Sequence, residues 1–126
     1  MSPVTHVGRV MVPVADQDQA ISFYTGRLGF ELSADTPFGD GERWVEVSPP
    51  GGGAALALVP TREPFPAGRI TGVALASVDA AATYEEFKGN GVDVDAEMMG
   101  GDGIVPRMFF FRDQDENQLM VVEGPS

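Results

Sequence analysis

Apolar and polar positions along this chain change period several times, and each change predicts a new structural element. Residues 8–14 (GRVMVPV) alternate valines with other side chains, which predicts a β-strand. Residues 16–29 then place apolar side chains at helical spacing behind Asp16, a residue type that caps helix N-termini. Gly29 is placed to end that helix in a left-handed turn.

Three more strands complete the first half of the chain. They are predicted at residues 30–34, 42–48 and 54–59. A turn-rich loop at 35–41 and a hairpin connection at 49–53 (PPGGG) separate them. The first half is therefore predicted to be a βαβββ unit.

The second half repeats this order at an offset of 63 residues, which aligns Asp16 with Asp79 and Tyr24 with Phe87. The offset predicts a helix at 79–88, a loop at 98–105, and strands at 72–78, 92–97, 106–112 and 118–123. Neither half can bury its sheet alone. We therefore expect a single domain, residues 1–126, made of a first module (7–60), a linker (61–69) and a second module (70–123).

Composition narrows the classes of protein that remain. The 126 residues, 43% of them hydrophobic, suffice for one core. Without cysteine, the chain has no disulfide, thiolate metal site or cysteine nucleophile. A formal net charge of −11 disfavours nucleic acid and anionic membranes as partners and favours cationic ligands at long range. There is no signal-peptide pattern and no apolar run of membrane-spanning length, so we expect a cytoplasmic protein.

Three segments together resemble a known superfamily. They are VMVPVADQDQAISFYTGRLGF, VALASVDAAATYEEFKGNGV and, near the end, FFFRDQDENQLMVV. Over residues 7–123 the chain resembles the vicinal oxygen chelate superfamily, which includes glyoxalase I, extradiol dioxygenases and bleomycin-resistance proteins. The resemblance implies an α+β fold in which two tandem βαβββ modules form an open cup-shaped sheet, with the helices on the convex face. It also implies a homodimer.

The resemblance further implies four ligand positions for one divalent metal, on the first and fourth strands of each module. In this sequence those positions hold Arg9, Ala57, Gly72 and Met120. None of them supplies an imidazole nitrogen or a carboxylate oxygen, and the arginine brings a positive charge. The one histidine, His6, lies outside the pattern in the N-terminal tail. We therefore expect no metal site and no cofactor.

Strand alternation predicts which side chains face the inside of the cup. If Arg9 points inward, the same phase on the other strands gives a mostly apolar and aromatic inner face. The ligand-binding residues predicted on this basis are Arg9, Met11, Trp44, Glu46, Ala57, Gly72, Arg107, Phe109, Phe111 and Met120. The loops at 36–41 and 98–105 are expected to border the mouth. The aromatic residues have an alternative role, since they could fill a core or a dimer interface.

Two arginines on the predicted inner face, Arg9 and Arg107, need acidic partners if they are buried, and Glu46 is the nearest candidate. Such a pair is either a structural ion pair or part of a clamp for a carboxylate, phosphate or polarised carbonyl on an aromatic ligand. The sequence leaves both open.

Two functions fit these residues. The first is a metal-independent small-molecule binding protein that sequesters or carries a bulky aromatic ligand, as in antibiotic resistance. The second is an enzyme, either a glyoxalase-like lyase or dioxygenase, or a metal-independent enzyme with Glu46 as catalytic base and Arg9 or Arg107 stabilising an oxyanion. The missing metal ligands and the apolar inner face favour binding, with a small hydrophobic or aromatic molecule as the partner.

Overall fold

Two four-stranded sheets, each carrying one helical segment, form the computed structural model, which describes residues 2–124. The first sheet has the spatial order β1-β4-β3-β2 and contains β1 (Arg9–Val14), β2 (Glu31–Phe38), β3 (Glu42–Ser48) and β4 (Ala55–Pro60). The second has the order β5-β8-β7-β6 and contains β5 (Ile70–Ser77), β6 (Asp93–Val94), β7 (Met108–Arg112) and β8 (Gln118–Glu123). In each sheet the first and fourth strands are parallel and the other pairs antiparallel. The predicted α+β fold, with the same βαβββ order of elements in both halves of the chain, is confirmed.

The helices begin where their capping residues predict. Asp16 accepts a hydrogen bond from the Gln19 amide at 3.0 Å, and α1 (Gln17–Ser22) follows it. This helix continues as one π-helical turn (Phe23–Arg27), and Gly29 then takes φ 78°, the left-handed conformation expected of it. In the second half Asp79 caps α2 (Ala80–Gly89) in the same way. No helix in this described part of the chain is long and apolar enough to cross a membrane.

Two strands differ most in length from the prediction. β2 runs on to Phe38 through residues predicted to be loop, because Arg43 on β3 pairs with Asp35 across the hairpin at 2.9 Å. Pro37 is tolerated there because β2 is an edge strand. β6 is only two residues long, and the Tyr84 hydroxyl donates to the main-chain carbonyls of residues 95 and 96, which follow it.

The helix-bearing faces of both sheets contribute to one buried cluster. Its aromatic members include Tyr24 and Phe30 from the first module and Phe87, Phe109 and Phe111 from the second. Ring centroids of Phe87 and Phe111 lie 5.3 Å apart, edge to face. The modules are therefore packed together through the sides that carry the helices.

A buried polar cluster also joins the two modules. The Tyr24 hydroxyl donates to Asp113 Oδ2 at 2.7 Å, and Asn117 Nδ2 donates both to Asp113 and to the carbonyl of Pro13. Asn117 Oδ1 accepts from the amides of Gly68 and Arg69 in the linker. Asn117 is thus the point at which β1, the linker and the β7–β8 turn meet.

Candidate functional site

The face of the first sheet that is turned away from α1, here called the open face, carries most of the predicted site. Met11 on β1 lies opposite Ala57 on β4, which lies opposite Glu46 on β3. Directly opposite residues share one face of a sheet, so this row confirms the predicted phase of β1, β3 and β4. Met11 is 52% exposed, whereas Ala57 is fully buried and offers no exposed surface to a ligand in this chain.

Glu46 is the centre of the polar part of this face. Its Oε2 accepts a hydrogen bond from Arg9 Nε at 2.5 Å and another from the Trp44 indole at 2.6 Å. Trp44 and Glu46 stand two residues apart on one strand, which places both on the same face. Glu46 as a whole residue is 8% exposed, while the Arg9 side chain is 58% exposed. The predicted pairing of Arg9 with Glu46 is therefore present.

These contacts determine the protonation state of the carboxylate. The hydrogen bond from Trp44 and the one from Arg9 hold the pKa of Glu46 below its ordinary value, and they outweigh the opposing effect of burial. Glu46 is then ionised at neutral pH and is a weak base. A carboxylate suited to proton abstraction needs the opposite shift, towards neutral pH.

An aromatic wall extends from Trp44 towards the end of β2. The Phe38 ring at the end of β2 meets Trp44 edge to face, with centroids 6.1 Å apart. Phe38 is 51% exposed although it is large and apolar. The sequence interpretation missed Phe38 because it assigned the residue to a loop. The Gly-Asp-Gly sequence that follows Phe38 could have indicated that the strand extends this far, because it closes a tight β2–β3 hairpin.

The second sheet has an open face of its own, and here one prediction is wrong. Gly72 and the alternate residues after it on β5 are exposed, and Met120 on β8 is half-buried, as the phase predicts. Phe109 and Phe111, however, are fully buried on the helix side, and the residue that lies opposite Met120 is Phe110. Three consecutive phenylalanines carry no alternation, so the phase of β7 could not be read from the sequence.

Arg107 also lies elsewhere than predicted. It precedes β7 and is exposed, and its side chain approaches Gly101 in the loop of residues 98–105. No ion pair joins it to Glu46 among the residues described. Of the two predicted arginines, only Arg9 contacts Glu46. The ligand-binding roles of all these residues stay predictions.

The four positions that correspond to metal ligands do not fit an ion. Arg9 presents a guanidinium that is engaged with Glu46, and Met120 presents a thioether. Ala57 and Gly72 have no donor atom at all. Within residues 2–124 no three His, Asp or Glu side chains come together in a group that could hold a metal ion. The donor chemistry of the ordinary superfamily centre is absent from these positions.

The fold and the three sequence segments quoted above define a class of protein. The chain matches the model of the Glyoxalase/Bleomycin resistance protein/Dioxygenase superfamily over residues 6–121, and it belongs to that superfamily. Among particular relatives, the uncharacterized protein YetH of Bacillus subtilis (strain 168) is 31% identical over 123 residues, which cover 95% of this chain and 99% of YetH.

Two solved structures are similar over almost their whole length. TnmS3, an antibiotic binding protein from Streptomyces sp. CB03234, has a TM-score of 0.85 at 32% identity, covering 99% of this chain and 100% of TnmS3. A superfamily member from Sphaerobacter thermophilus DSM 20745 has a TM-score of 0.86 at 30% identity, covering 96% of this chain and 98% of that protein.

Proposed function

We propose that this protein binds a bulky aromatic small molecule against the open face of the first sheet without the help of a metal ion. The observation that carries the proposal is the Glu46 carboxylate, held by Arg9 and by Trp44, whose ring packs against the exposed Phe38. Aromatic walls with a few fixed polar groups are the usual composition of ligand sites. The similarity to TnmS3 supports a role in sequestering an antibiotic.

The carboxylate defines the polar part of the ligand. Both hydrogen bonds go to Oε2, so Oε1 has no hydrogen-bond partner among the described residues. A hydroxyl, amide or amine on an aromatic ligand would donate a hydrogen bond to Oε1. The net charge of −11 adds a long-range preference for cationic molecules.

Titration of the emission of Trp44, the single tryptophan, tests this proposal. Bleomycin serves as a cationic aromatic probe and 1,4-dihydroxyanthraquinone as a neutral one. We expect saturable quenching by at least one of them, weakened about tenfold in Arg9→Ala, because that variant frees the carboxylate to reorient. Arg62→Ala, at an exposed arginine in the linker outside the predicted site, is the matched control and should bind as the wild type does. Absence of quenching by both probes, or equal losses in the two variants, would contradict the proposal.

We further propose that the chain acts as a homodimer. Several large apolar side chains stay exposed on a single chain, and removing such surface from water favours association. They include Met11, Phe38, Ile70, Met99 and Ile104. Sedimentation equilibrium checks this, with a dimer expected in the wild type and dissociation in Met11→Lys. A strictly monomeric wild type would refute it.

The enzymatic alternative has less support. Its metal-independent form needs Glu46 as a base, whereas the contacts of Glu46 lower its pKa. Its second form needs a metal at positions whose side chains lack suitable donors. Among the residues that the structure describes, no contact in the site favours catalysis over binding.

A further inference from the structure

Two clefts lie between the modules at positions related by the 63-residue repeat. One has a volume of about 480 Å³ and lies between α1 and the start of the β7–β8 turn. The other has a volume of about 500 Å³ and lies between α2 and the β3–β4 turn at residues 49–53. Pairs of lining residues correspond under the repeat: Gly91 with Leu28, Asp93 with Phe30, Asp113 with Pro50. The two clefts thus occupy equivalent positions in the repeated fold.

Most residues that line the first cleft carry polar or charged side chains, and hydrogen bonds hold its two sides together. Tyr24 of the first module donates to Asp113 of the second at 2.7 Å. Asp115 Oδ2 accepts from the amide of Ala15 at 2.9 Å. Asn117 reaches the carbonyl of residue 13. The β7–β8 turn is therefore anchored to the opposite module at three points.

The second cleft has lost these anchors. The repeat places Phe87 where the first cleft has Tyr24, Pro50 in place of Asp113 and Ala54 in place of Asn117. None of the three can make the corresponding side-chain hydrogen bond. Throughout residues 2–124, no hydrogen bond connects the turn at 49–53 to the second module. This turn can move away from α2 without breaking a hydrogen bond to it.

The walls of the second cleft are apolar and come from both modules. The side chains that form them include Leu28, Phe30, Leu75, Phe87 and Val121. Its hydroxyl groups, on Ser77 and Thr83, are already bonded to each other at 2.7 Å. Glu86 is the one charged residue among those described as lining it. A volume of this size is typical of sites for small organic molecules.

We propose that this second cleft, here called the apolar cleft, is a small-molecule site separate from the open face. It takes a compact apolar ligand, aromatic or aliphatic, that is neutral or carries a single positive charge. Anionic ligands are disfavoured because the charge at the rim is negative and no lysine or arginine stands among the described lining residues. The glycine-rich turn acts as the movable wall, since Gly52 and Gly53 have φ near 90° and nothing within 4 Å of where a side chain would begin.

Two probes with one ring skeleton test the proposed charge preference. N-phenyl-1-naphthylamine is neutral, and 8-anilino-1-naphthalenesulfonate adds a sulfonate to the same skeleton. We expect the neutral probe to bind with enhanced fluorescence and the anionic probe to bind at least about tenfold more weakly. Glu86→Lys should raise affinity for the anionic probe about tenfold. Glu85→Lys, an exposed control on the same helix that does not line the cleft, should leave it unchanged.

Amide NMR locates the bound probe without any substitution. On titration with N-phenyl-1-naphthylamine we expect shifts at the amides of residues 51–53 and Phe87, and little change at the Trp44 indole, which reports on the open face. Leu75→Trp, which enlarges a lining side chain on the helix side of β5, should weaken binding. Shifts confined to Trp44, no binding of the neutral probe, or equal effects of Glu86→Lys and Glu85→Lys would each overturn the proposal.

Discussion

Asn117 offers the sharpest test of how the two modules are held together. The side chain is fully buried and makes four hydrogen bonds, to Pro13, Asp113, Gly68 and Arg69, at 2.8, 3.0, 2.9 and 3.2 Å. Asn117→Ala removes all four and leaves main-chain groups of β1 and of the linker without these partners. A buried polar group without a partner is more costly than a hydrogen bond exchanged with water.

The expected loss of stability follows from these four hydrogen bonds. Each hydrogen bond contributes about 0.5–1.5 kcal/mol net, so four contribute about 2–6 kcal/mol. For a chain of this length one kcal/mol corresponds to roughly 4 °C in Tm. The variant should therefore melt roughly 8–24 °C below the wild type.

Asn90→Ala is the matched control, because Asn90 is exposed and also joins the modules, through one bond of 3.1 Å to the carbonyl of Arg27. It should cost no more than about 0.5 kcal/mol. Differential scanning calorimetry of both variants, with urea unfolding at pH 7, measures the two losses. If Asn117→Ala is no more destabilising than Asn90→Ala, the buried cluster does not hold the modules together.

Three further predictions concern β7, Tyr24 and Glu46. Phe111→Ala should lower the free energy of unfolding by about 3–5 kcal/mol and Phe110→Ala by clearly less; equal losses in urea unfolding would contradict the assignment of faces on β7. Burial, and after it the charge of Asp113, raises the pKa of Tyr24 above 10.0. The contribution of Tyr24 to the stability of the folded state is therefore intact below pH 10.0 and is lost as pH rises further. Alkaline unfolding should therefore be steeper in the wild type than in Tyr24→Phe. The pKa of Glu46 is lowered, so its contribution is present above pH 4.5 and is lost as pH falls below that value. The stabilities of wild type and Glu46→Gln should converge in acid; a constant difference would refute this.

The repeated plan of the fold was predictable because its signals are local. Capping aspartates at 16 and 79, the left-handed Gly29 and the alternation on β1, β3 and β4 each act within a few residues. β7 was not predictable, because three phenylalanines in a row satisfy either phase. Only the pairing of Phe110 with Met120 decides which ring is buried.

The candidate site was predictable in part. The Arg9–Glu46 pair and its neighbour Trp44 followed from strand phase once Arg9 was taken to face inward. Phe38 was missed because β2 extends beyond its hydrophobic stretch, held by an Arg43–Asp35 contact that forms only once the hairpin is paired. The apolar cleft depends on which turn meets which helix across the modules, and periodicity within a segment carries no such information.

Native mass spectrometry, paired with metal analysis of the same purified sample, tests the central claim most directly. We predict no stoichiometric divalent ion, and we predict that the protein takes up one molecule of bleomycin or 1,4-dihydroxyanthraquinone per chain in a way that Arg9→Ala weakens. One tightly held divalent ion per chain would contradict it, because none of the side chains at positions 9, 57, 72 and 120 is a suitable ligand.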